Sequence, residues 1–121
     1  MIAHNYGRIV NIASIWSVIT RQGRSMYTAT KNAIVGLTKT LSVEWAAYGI
    51  LVNAVSPGFT QTELTERTNT KEQLKMLEEM IPVKRLCQPI EQARVIAFLC
   101  SDFNTYLTGQ NIIIDGGYTN V

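Results

Sequence analysis

The chain has 121 residues, of which 46% are apolar and 17% are charged, and its formal net charge is +2. This composition suits one small globular domain. The basic residues are dispersed and are not interleaved with aromatics, which argues against nucleic-acid binding. No apolar stretch approaches the roughly 20 residues of a membrane span, and the N-terminus lacks the features of a signal peptide. We therefore expect a soluble, cytoplasmic chain with no membrane partner.

Histidine and cysteine are too few and too scattered for a metal centre. His4 is the single histidine, and Cys87 and Cys100 are the only cysteines and form no Cys-x-x-Cys motif. Cys100 falls on the apolar side of a predicted helix, where a free cysteine usually acts as a small hydrophobic residue. We predict no metal site and no Ser-His-Asp mechanism.

The first half of the chain predicts a strand, a loop and a long helix. Residues 8–13 are rich in Ile and Val, which favours a strand buried on both faces, as in parallel sheets. Residues 15–24 are interpreted as a loop. Residues 25–48 then carry apolar residues at helical spacing, with Gly49 as the C-terminal cap. The predicted apolar stripe of this helix consists of Ile34, Leu37, Leu41 and Trp45.

The second half predicts two more strands with helices between them. Residues 50–55 form a second buried run, which Pro57 and Gly58 break. Residues 62–80 are polar with helical spacing, and Pro89 fits the first turn of a further helix. The predicted apolar side of that last helix consists of Ala93, Ile96, Ala97 and Cys100. Residues 112–114 form the third strand, so the alternation predicts an α/β fold with right-handed crossovers and a parallel sheet.

Tyr27, Lys31 and Ser14 are the candidates for chemistry. Residues four apart share a helix face, so the phenol of Tyr27 and the ammonium of Lys31 can act on one small volume. Ser14 follows the first strand, at the edge of a parallel sheet where ligands bind. A phenol titrates near pH ~10, and making it a proton carrier at neutral pH takes about 4 kcal/mol of bias toward the phenolate. Lys31 is placed to supply part of that bias.

Five sequence blocks carry a family resemblance. They are GRIVNIAS at 7–14, YTATK at 27–31, VNAVSPG at 52–58, LTGQ at 107–110 and DGG at 115–117. In this order and spacing the chain closely resembles the classical short-chain dehydrogenases/reductases, including the 3-oxoacyl-carrier-protein reductases. A lone Tyr-x-x-x-Lys is weak evidence, whereas five ordered blocks spanning almost the whole chain are specific.

The resemblance implies an activity and a role for each candidate. It implies hydride transfer between NAD or NADP and a small-molecule carbonyl or secondary alcohol. Tyr27 would be the general acid or base, Lys31 would hold the nicotinamide ribose and favour the Tyr27 phenolate, and Ser14 would hydrogen-bond the substrate oxygen. Ser17 competes with Ser14 for this role, although the spacing from Ser14 to Tyr27 fits the family better.

The resemblance also implies a cofactor loop and a lid. Residues Pro57, Gly58, Thr60 and Thr62 lie in a segment similar to the loop that fixes the nicotinamide carboxamide, although the family more often has an aliphatic residue at the Thr60 position. Residues 62–80 resemble the substrate lid, with a plain solvated helix as the alternative. Trp16 is a candidate to line a substrate pocket, with core packing as its alternative.

Family members are commonly about twice as long and begin with a glycine-rich turn that binds the dinucleotide pyrophosphate. Residues 1–121 show no such turn, so we interpret them as a single partial domain, the C-terminal half of a doubly wound Rossmann-like sheet of about three strands.

This half would hold only the nicotinamide end of NAD or NADP, and we do not expect catalysis by it alone. A homo-oligomer, or pairing with the N-terminal half, is expected. The alternative is a truncated, non-catalytic fragment or assembly subunit. The sequence reveals neither the substrate nor the choice between NAD and NADP.

Overall fold

The computed structural model describes every residue from Met1 to Val121 and contains three strands and four helices. In chain order they are β1 (Gly7–Ile12), α1 (Ser25–Trp45), β2 (Ile50–Pro57), α2 (Glu63–Thr68), α3 (Lys71–Met80), α4 (Pro89–Cys100) and β3 (Asn111–Ile114). The predicted alternation of strands and helices is confirmed.

The three strands form one parallel sheet with β2 in the centre. Gly7 pairs with Ile50 at the start of β2, and Asn111 pairs with Ala54 further along it. Val52, Ala54 and Val55 of β2 are fully buried, as expected for the central strand of a parallel sheet with helices on its faces. The predicted α/β fold class is confirmed: the chain has a three-stranded parallel sheet with flanking helices.

β1 is less buried than its sequence predicts. We expected residues 8–13 to be buried on both faces, but most of β1 is half-buried and Ile12 is 46% exposed. The reason is its position, because β1 pairs with β2 along one side only and is an edge strand. Its outer side presents backbone N–H and C=O groups without ladder partners.

α1 is a long helix that ends where the sequence predicted. It runs from Ser25 to Trp45 and continues into a short 3₁₀ turn, after which Gly49 takes a left-handed conformation with φ of 68°. A Cβ atom at this position would collide with the carbonyl oxygen of Asn5. Glycine is therefore required both by the backbone angle and by the close approach of the chain before β1.

The packed face of α1 differs from the predicted stripe. Leu37 is 53% exposed, whereas Thr38 and Ser42 are buried. Asn11 on β1 donates a 2.9 Å hydrogen bond to the Thr38 hydroxyl, and a Cβ at Gly109 would lie only 2.7 Å from Ser42 Oγ. The neighbouring backbone comes so close that small hydroxyl side chains fit where a leucine would not.

α4 begins at Pro89, as predicted, but its packed side is also different. Its buried residues are Gln92 and Leu99, whereas Cys100 is exposed. The prediction that Cys100 lies on the apolar, packed side of this helix as a small hydrophobic residue is therefore wrong. Gln92 Nε2 donates a 3.0 Å hydrogen bond to the carbonyl oxygen of Ile114 on β3, so a polar contact joins this helix to the sheet.

Residues 62–80 form two helices instead of one continuous stretch. Asn69 is extended between α2 and α3, and Thr70 is the N-cap of α3, with a capping box that Gln73 completes. Apolar side chains on both helices remain exposed, including Leu64 and Met76. None of the four helices has the length and hydropathy that a membrane crossing requires.

Candidate active site

A cleft of about 300 Å³ opens at the carboxyl ends of β1 and β2. All seven site residues predicted from the sequence line it, namely Ser14, Tyr27, Lys31, Pro57, Gly58, Thr60 and Thr62. They come from three segments: the connection after β1, the first turns of α1, and the end of β2 with the loop that follows it. Ligands of open parallel sheets bind at this edge, so the fold brings the candidates together where chemistry is expected.

Tyr27 and Lys31 lie one turn apart on α1 and both face the cleft. Lys31 Nζ donates a 3.0 Å hydrogen bond to the carbonyl oxygen of Ile12 and lies 5.6 Å from the centre of the Tyr27 ring. An ammonium group has three N–H donors, so two remain for a ligand. Tyr27 is 43% exposed, which leaves its ring edge accessible from the cleft.

Ser14 and Ser17 have different environments. Ser14 Oγ accepts a 3.3 Å hydrogen bond from the backbone N–H of Trp16, which leaves its own hydrogen free to donate. Ser17 Oγ donates to the carbonyl oxygen of Ser14 at 2.7 Å and accepts from Asn111 Nδ2 at 3.3 Å. Ser17 thus links the connection after β1 to β3 and does not line the cleft, whereas Ser14 does.

Gly58 lets the loop after β2 pass close to the end of β3. Its backbone N–H donates a 2.9 Å hydrogen bond to the carbonyl oxygen of Ile114. A Cβ at Gly58 would lie 2.7 Å from both Cα and Cβ of Asp115, closer than a side chain tolerates. Glycine is required at this position because the loop after β2 lies against the backbone of Asp115.

Asp115 holds the turn that Gly58 contacts. Burial raises the pKa of its carboxyl, but hydrogen bonds from the Thr119 hydroxyl and from the backbone N–H groups of Thr119 and Gly117 outweigh burial, and the net pKa is lowered. The Thr119 hydroxyl contact is 2.7 Å long. An ionised Asp115 therefore fixes the segment against which the loop of the cleft rests.

Three threonines order the polar groups of that loop. Thr65 Oγ1 donates a 2.8 Å hydrogen bond to the carbonyl oxygen of Thr60. Because a hydroxyl has one hydrogen, Thr62 must be the donor in the 3.0 Å contact between the Thr62 and Thr65 hydroxyls. Thr62 Oγ1 also accepts from the backbone N–H of Thr65 as the N-cap of α2.

Among the unpaired polar groups of the loop are a donor at Thr60 and an acceptor at Thr62. The backbone N–H of Thr60 has no hydrogen-bond partner in the chain. Thr62 Oγ1 has used its hydrogen and one lone pair, so it can still accept a second hydrogen bond. A primary carboxamide has one acceptor oxygen and an N–H donor pair, which matches this loop.

A second cavity, of about 660 Å³, adjoins the cleft and shares Phe59 and Thr65 with it. The loop before α1 contributes Arg21 and Arg24 to its lining. α2, α3 and the residue between them contribute Leu64, Thr68, Asn69, Gln73, Met76, Leu77 and Met80. The stretch 62–80, predicted from the sequence as a lid, thus borders a cavity next to the cleft.

The sequence did not identify several groups that shape the cleft and the cavity beside it. The carbonyl oxygen of Ile12 orients Lys31, but a backbone group leaves no sequence signal. Thr65 stands in a threonine-rich segment and is indistinguishable there from its neighbours. Arg21 and Arg24 flank a Gln-Gly pair typical of a tight turn, and that pattern is the signal that could have revealed them.

Comparison with known proteins gives one family match and many relatives. A family model described as enoyl-(acyl carrier protein) reductase matches residues 1–119. The chain is 42% identical over 117 residues to 3-oxoacyl-(acyl-carrier-protein) reductase of Rickettsia felis, a match that covers 97% of the chain and 48% of that protein.

Solved structures also match nearly the whole of this chain to about half of a longer protein. The gluconate 5-dehydrogenase of Burkholderia cenocepacia, in complex with NADP and tartrate, superposes with a TM-score of 0.92 at 35% identity, covering 99% of this chain and 48% of that chain. A short-chain dehydrogenase family protein of Francisella tularensis has a TM-score of 0.91 at 34% identity, with 98% and 52% covered. The chain spans about half the length of the relatives it matches.

Proposed function

Because the chain belongs to the classical short-chain dehydrogenase/reductase family, we propose that it forms the catalytic half of an NAD(P)(H)-dependent oxidoreductase. The reaction would be hydride transfer between a nicotinamide dinucleotide and a ketone or secondary alcohol. The observation that carries the proposal is the single cleft that Ser14, Tyr27 and Lys31 share. In this proposal residues 1–121 are one partial domain, and a dinucleotide-binding half completes the enzyme.

The residues of the cleft suit the nicotinamide end of such a cofactor. The backbone N–H of Thr60 would donate to the carboxamide oxygen, and Thr62 Oγ1 would accept from the carboxamide N–H. The two unused N–H donors of Lys31 would bind ribose hydroxyls. When bound, the nicotinamide ring supplies or accepts the hydride.

The proton chemistry would belong to Ser14 and Tyr27. In reduction, the Ser14 hydroxyl donates a hydrogen bond to the carbonyl oxygen, on which negative charge develops. Tyr27 then transfers its phenolic proton to that oxygen, and in oxidation its phenolate accepts the proton of the alcohol. The ammonium of Lys31, held by the carbonyl oxygen of Ile12, places a positive charge beside the phenol that gives up the proton.

Reduced nicotinamide mononucleotide is a direct probe of this half. It carries the ring, carboxamide and ribose but lacks the adenosine part, so it tests only the groups present in this chain. We expect saturable binding, followed by the fluorescence of the reduced ring, and weaker binding after Lys31→Met or Thr62→Val. Lys39→Met changes an exposed lysine of the same helix and is the matched control.

The reaction itself can be tested in a hybrid enzyme, in which this chain is joined to the dinucleotide-binding half of the Burkholderia relative. Consumption of NADPH on addition of small ketones is the expected result. A folded hybrid with no turnover, together with a chain that does not bind reduced nicotinamide mononucleotide, would contradict the proposal. That outcome would support the non-catalytic assembly subunit instead.

A further inference from the structure

We propose that Arg21 and Arg24 form an anion-recognition pair that selects substrates bearing a carboxylate close to the reacting carbonyl or alcohol. This inference rests on the proposed oxidoreductase function and adds the substrate class, small keto or hydroxy acids. It is argued from the turn that holds the two arginines, their position over Trp16, and the absence of compensating carboxylates around them.

A tight turn fixes the backbone positions of the two arginines relative to each other. The backbone N–H of Arg24 donates a 3.2 Å hydrogen bond to the carbonyl oxygen of Arg21, and Gly23 has a φ of 80°. These features are typical of a type II turn, whose end residues lie within about 7 Å of each other. The hydroxyls of Thr20 and Thr28, 3.1 Å apart, attach this turn to the first turn of α1.

Both guanidinium groups lie over the Trp16 ring. Their central carbons are 5.2 Å (Arg21) and 5.8 Å (Arg24) from the ring centroid, within the range of a cation–π attraction. Trp16 is buried and also lines the catalytic cleft. The two positive charges are therefore held by a side chain that forms a wall of the site containing Ser14 and Tyr27.

No carboxylate of the chain neutralises these charges. The only ion pair in the structure joins Arg85 to Glu91, and the cavity lined by Arg21 and Arg24 has no Asp or Glu in its lining. The first turn of α1, which starts directly after Arg24, contains no acidic residue either. The positive end of the helix dipole thus adds to the field of both guanidiniums.

A carboxylate is the group that the arginine pair suits best. The planar guanidinium fork matches a carboxylate, and both arginines are exposed and therefore accessible to a ligand. The cavity of the arginine pair shares Phe59 and Thr65 with the catalytic cleft. In the proposed binding mode, a small molecule whose oxygen contacts Ser14 and Tyr27 extends its acid group toward Arg21 and Arg24.

Levulinate and its methyl ester are the probes, because both contain the same ketone and only the first is charged. Trp45→Phe leaves Trp16 as the only tryptophan, so its fluorescence reports binding next to the arginines. We expect levulinate to bind saturably and the ester to bind far more weakly. Arg21→Gln and Arg24→Gln should each weaken levulinate binding about tenfold, whereas Arg94→Gln, an exposed arginine on α4, should not.

Each other outcome would overturn the inference. If levulinate and its ester bind with equal affinity, the site does not require a charged ligand. If Arg94→Gln weakens levulinate binding as much as the Arg21 and Arg24 variants do, the effect comes from the net charge of the chain and not from these two arginines. A loss of affinity for reduced nicotinamide mononucleotide in the Arg21 and Arg24 variants, with levulinate binding unchanged, assigns the pair to the cofactor.

The two proposals fail separately. Levulinate binding that depends on Arg21 and Arg24, in a hybrid enzyme that shows no turnover, disproves the reaction but not the anion site. Turnover of the ester as fast as that of levulinate, insensitive to Arg21→Gln and Arg24→Gln, disproves the anion site but not the reaction.

Discussion

The ammonium of Lys31 lies 3.0 Å from the carbonyl oxygen of Ile12, the last residue of β1. The end of a strand therefore sets where a helix residue places its charge. The same ammonium is 5.6 Å from the centre of the Tyr27 ring. A shift of β1 would move the charge relative to the phenol, so the sheet and the site are coupled through this one contact.

Tyr27→Phe should abolish turnover without affecting the fold. Removing a group that transfers a proton in the transition state typically costs about 10²–10⁴ in rate. Tyr27 and Tyr48 are each 43% exposed, so Tyr48→Phe is a control matched in chemistry and exposure. We expect the hybrid enzyme to lose NADPH oxidation only in the Tyr27 variant, with free energies of unfolding within about 0.5 kcal/mol of each other. Equal turnover in the two variants would exclude Tyr27 as the proton donor.

The two serines after β1 should show opposite effects. Ser14→Ala removes a donor to the substrate oxygen, so we expect kcat to fall about 10²-fold. Ser17→Ala breaks the contacts to the Ser14 carbonyl and to Asn111, so we expect about 1–3 kcal/mol lower stability with kcat largely retained. Urea unfolding and steady-state kinetics on the hybrid enzyme separate the two. A larger loss of kcat in the Ser17 variant would reverse the assignment.

Two glycine substitutions should change stability in opposite directions. Gly58→Ala places a methyl group 2.7 Å from Asp115, and the resulting displacement should lower the free energy of unfolding by about 1–3 kcal/mol. Gly36→Ala lies on α1 with no atom within 4 Å of the new methyl group, and it should raise stability by about 0.5–1 kcal/mol. Thermal unfolding of the chain measures both. Because Gly58 also lines the cleft, its variant should bind reduced nicotinamide mononucleotide more weakly.

Glu91 should make the chain less stable in acid. Two hydrogen bonds from Arg85, each 2.7 Å long, and one from the backbone N–H of Gln88 lower the pKa of Glu91 from its ordinary 4.5 to about 2. The unfolded chain binds more protons than the folded one between these values, so stability is fully present above about pH 4.5 and is lost as pH falls toward about 2.

Glu91→Gln tests this dependence. It should reduce the difference between the urea midpoints measured at about pH 6 and about pH 3. Glu44→Gln, on the exposed side of α1, is the matched control and should leave that difference intact. If both variants keep the wild-type difference, other carboxylates govern the acid sensitivity.

The positions of the site residues could be predicted because their spacing carries the geometry. Tyr27 and Lys31 share a helix face at any four-residue separation, and Ser14 and Gly58 follow strands whose ends must meet at one edge of a parallel sheet. The structure places all of them in one cleft. Their catalytic and cofactor-binding roles stay predictions until the variants above are measured.

Packing could not be predicted in the same way, because hydropathy ignores how near the neighbouring backbone lies. Thr38 and Ser42 are buried, and Leu37 on the same helix is not, since Asn11 and Gly109 come close on that side. Gln92 is buried on α4 for a related reason, its hydrogen bond to the end of β3. Such contacts join residues far apart in sequence and leave no periodic signal.

The parallel sheet also has a consequence for how the chain folds. Gly7 pairs with Ile50, and Ala54 pairs with Asn111. Each strand pairing therefore closes a loop on the order of fifty residues. No hairpin can form early to start the sheet, and such non-local pairings are slow. We expect α1 to form before any strand pairing. Until the strands pair, their apolar side chains stay exposed. The chain should therefore be most prone to aggregation during synthesis and refolding, when a cold, dilute solution will recover more native protein than a concentrated one.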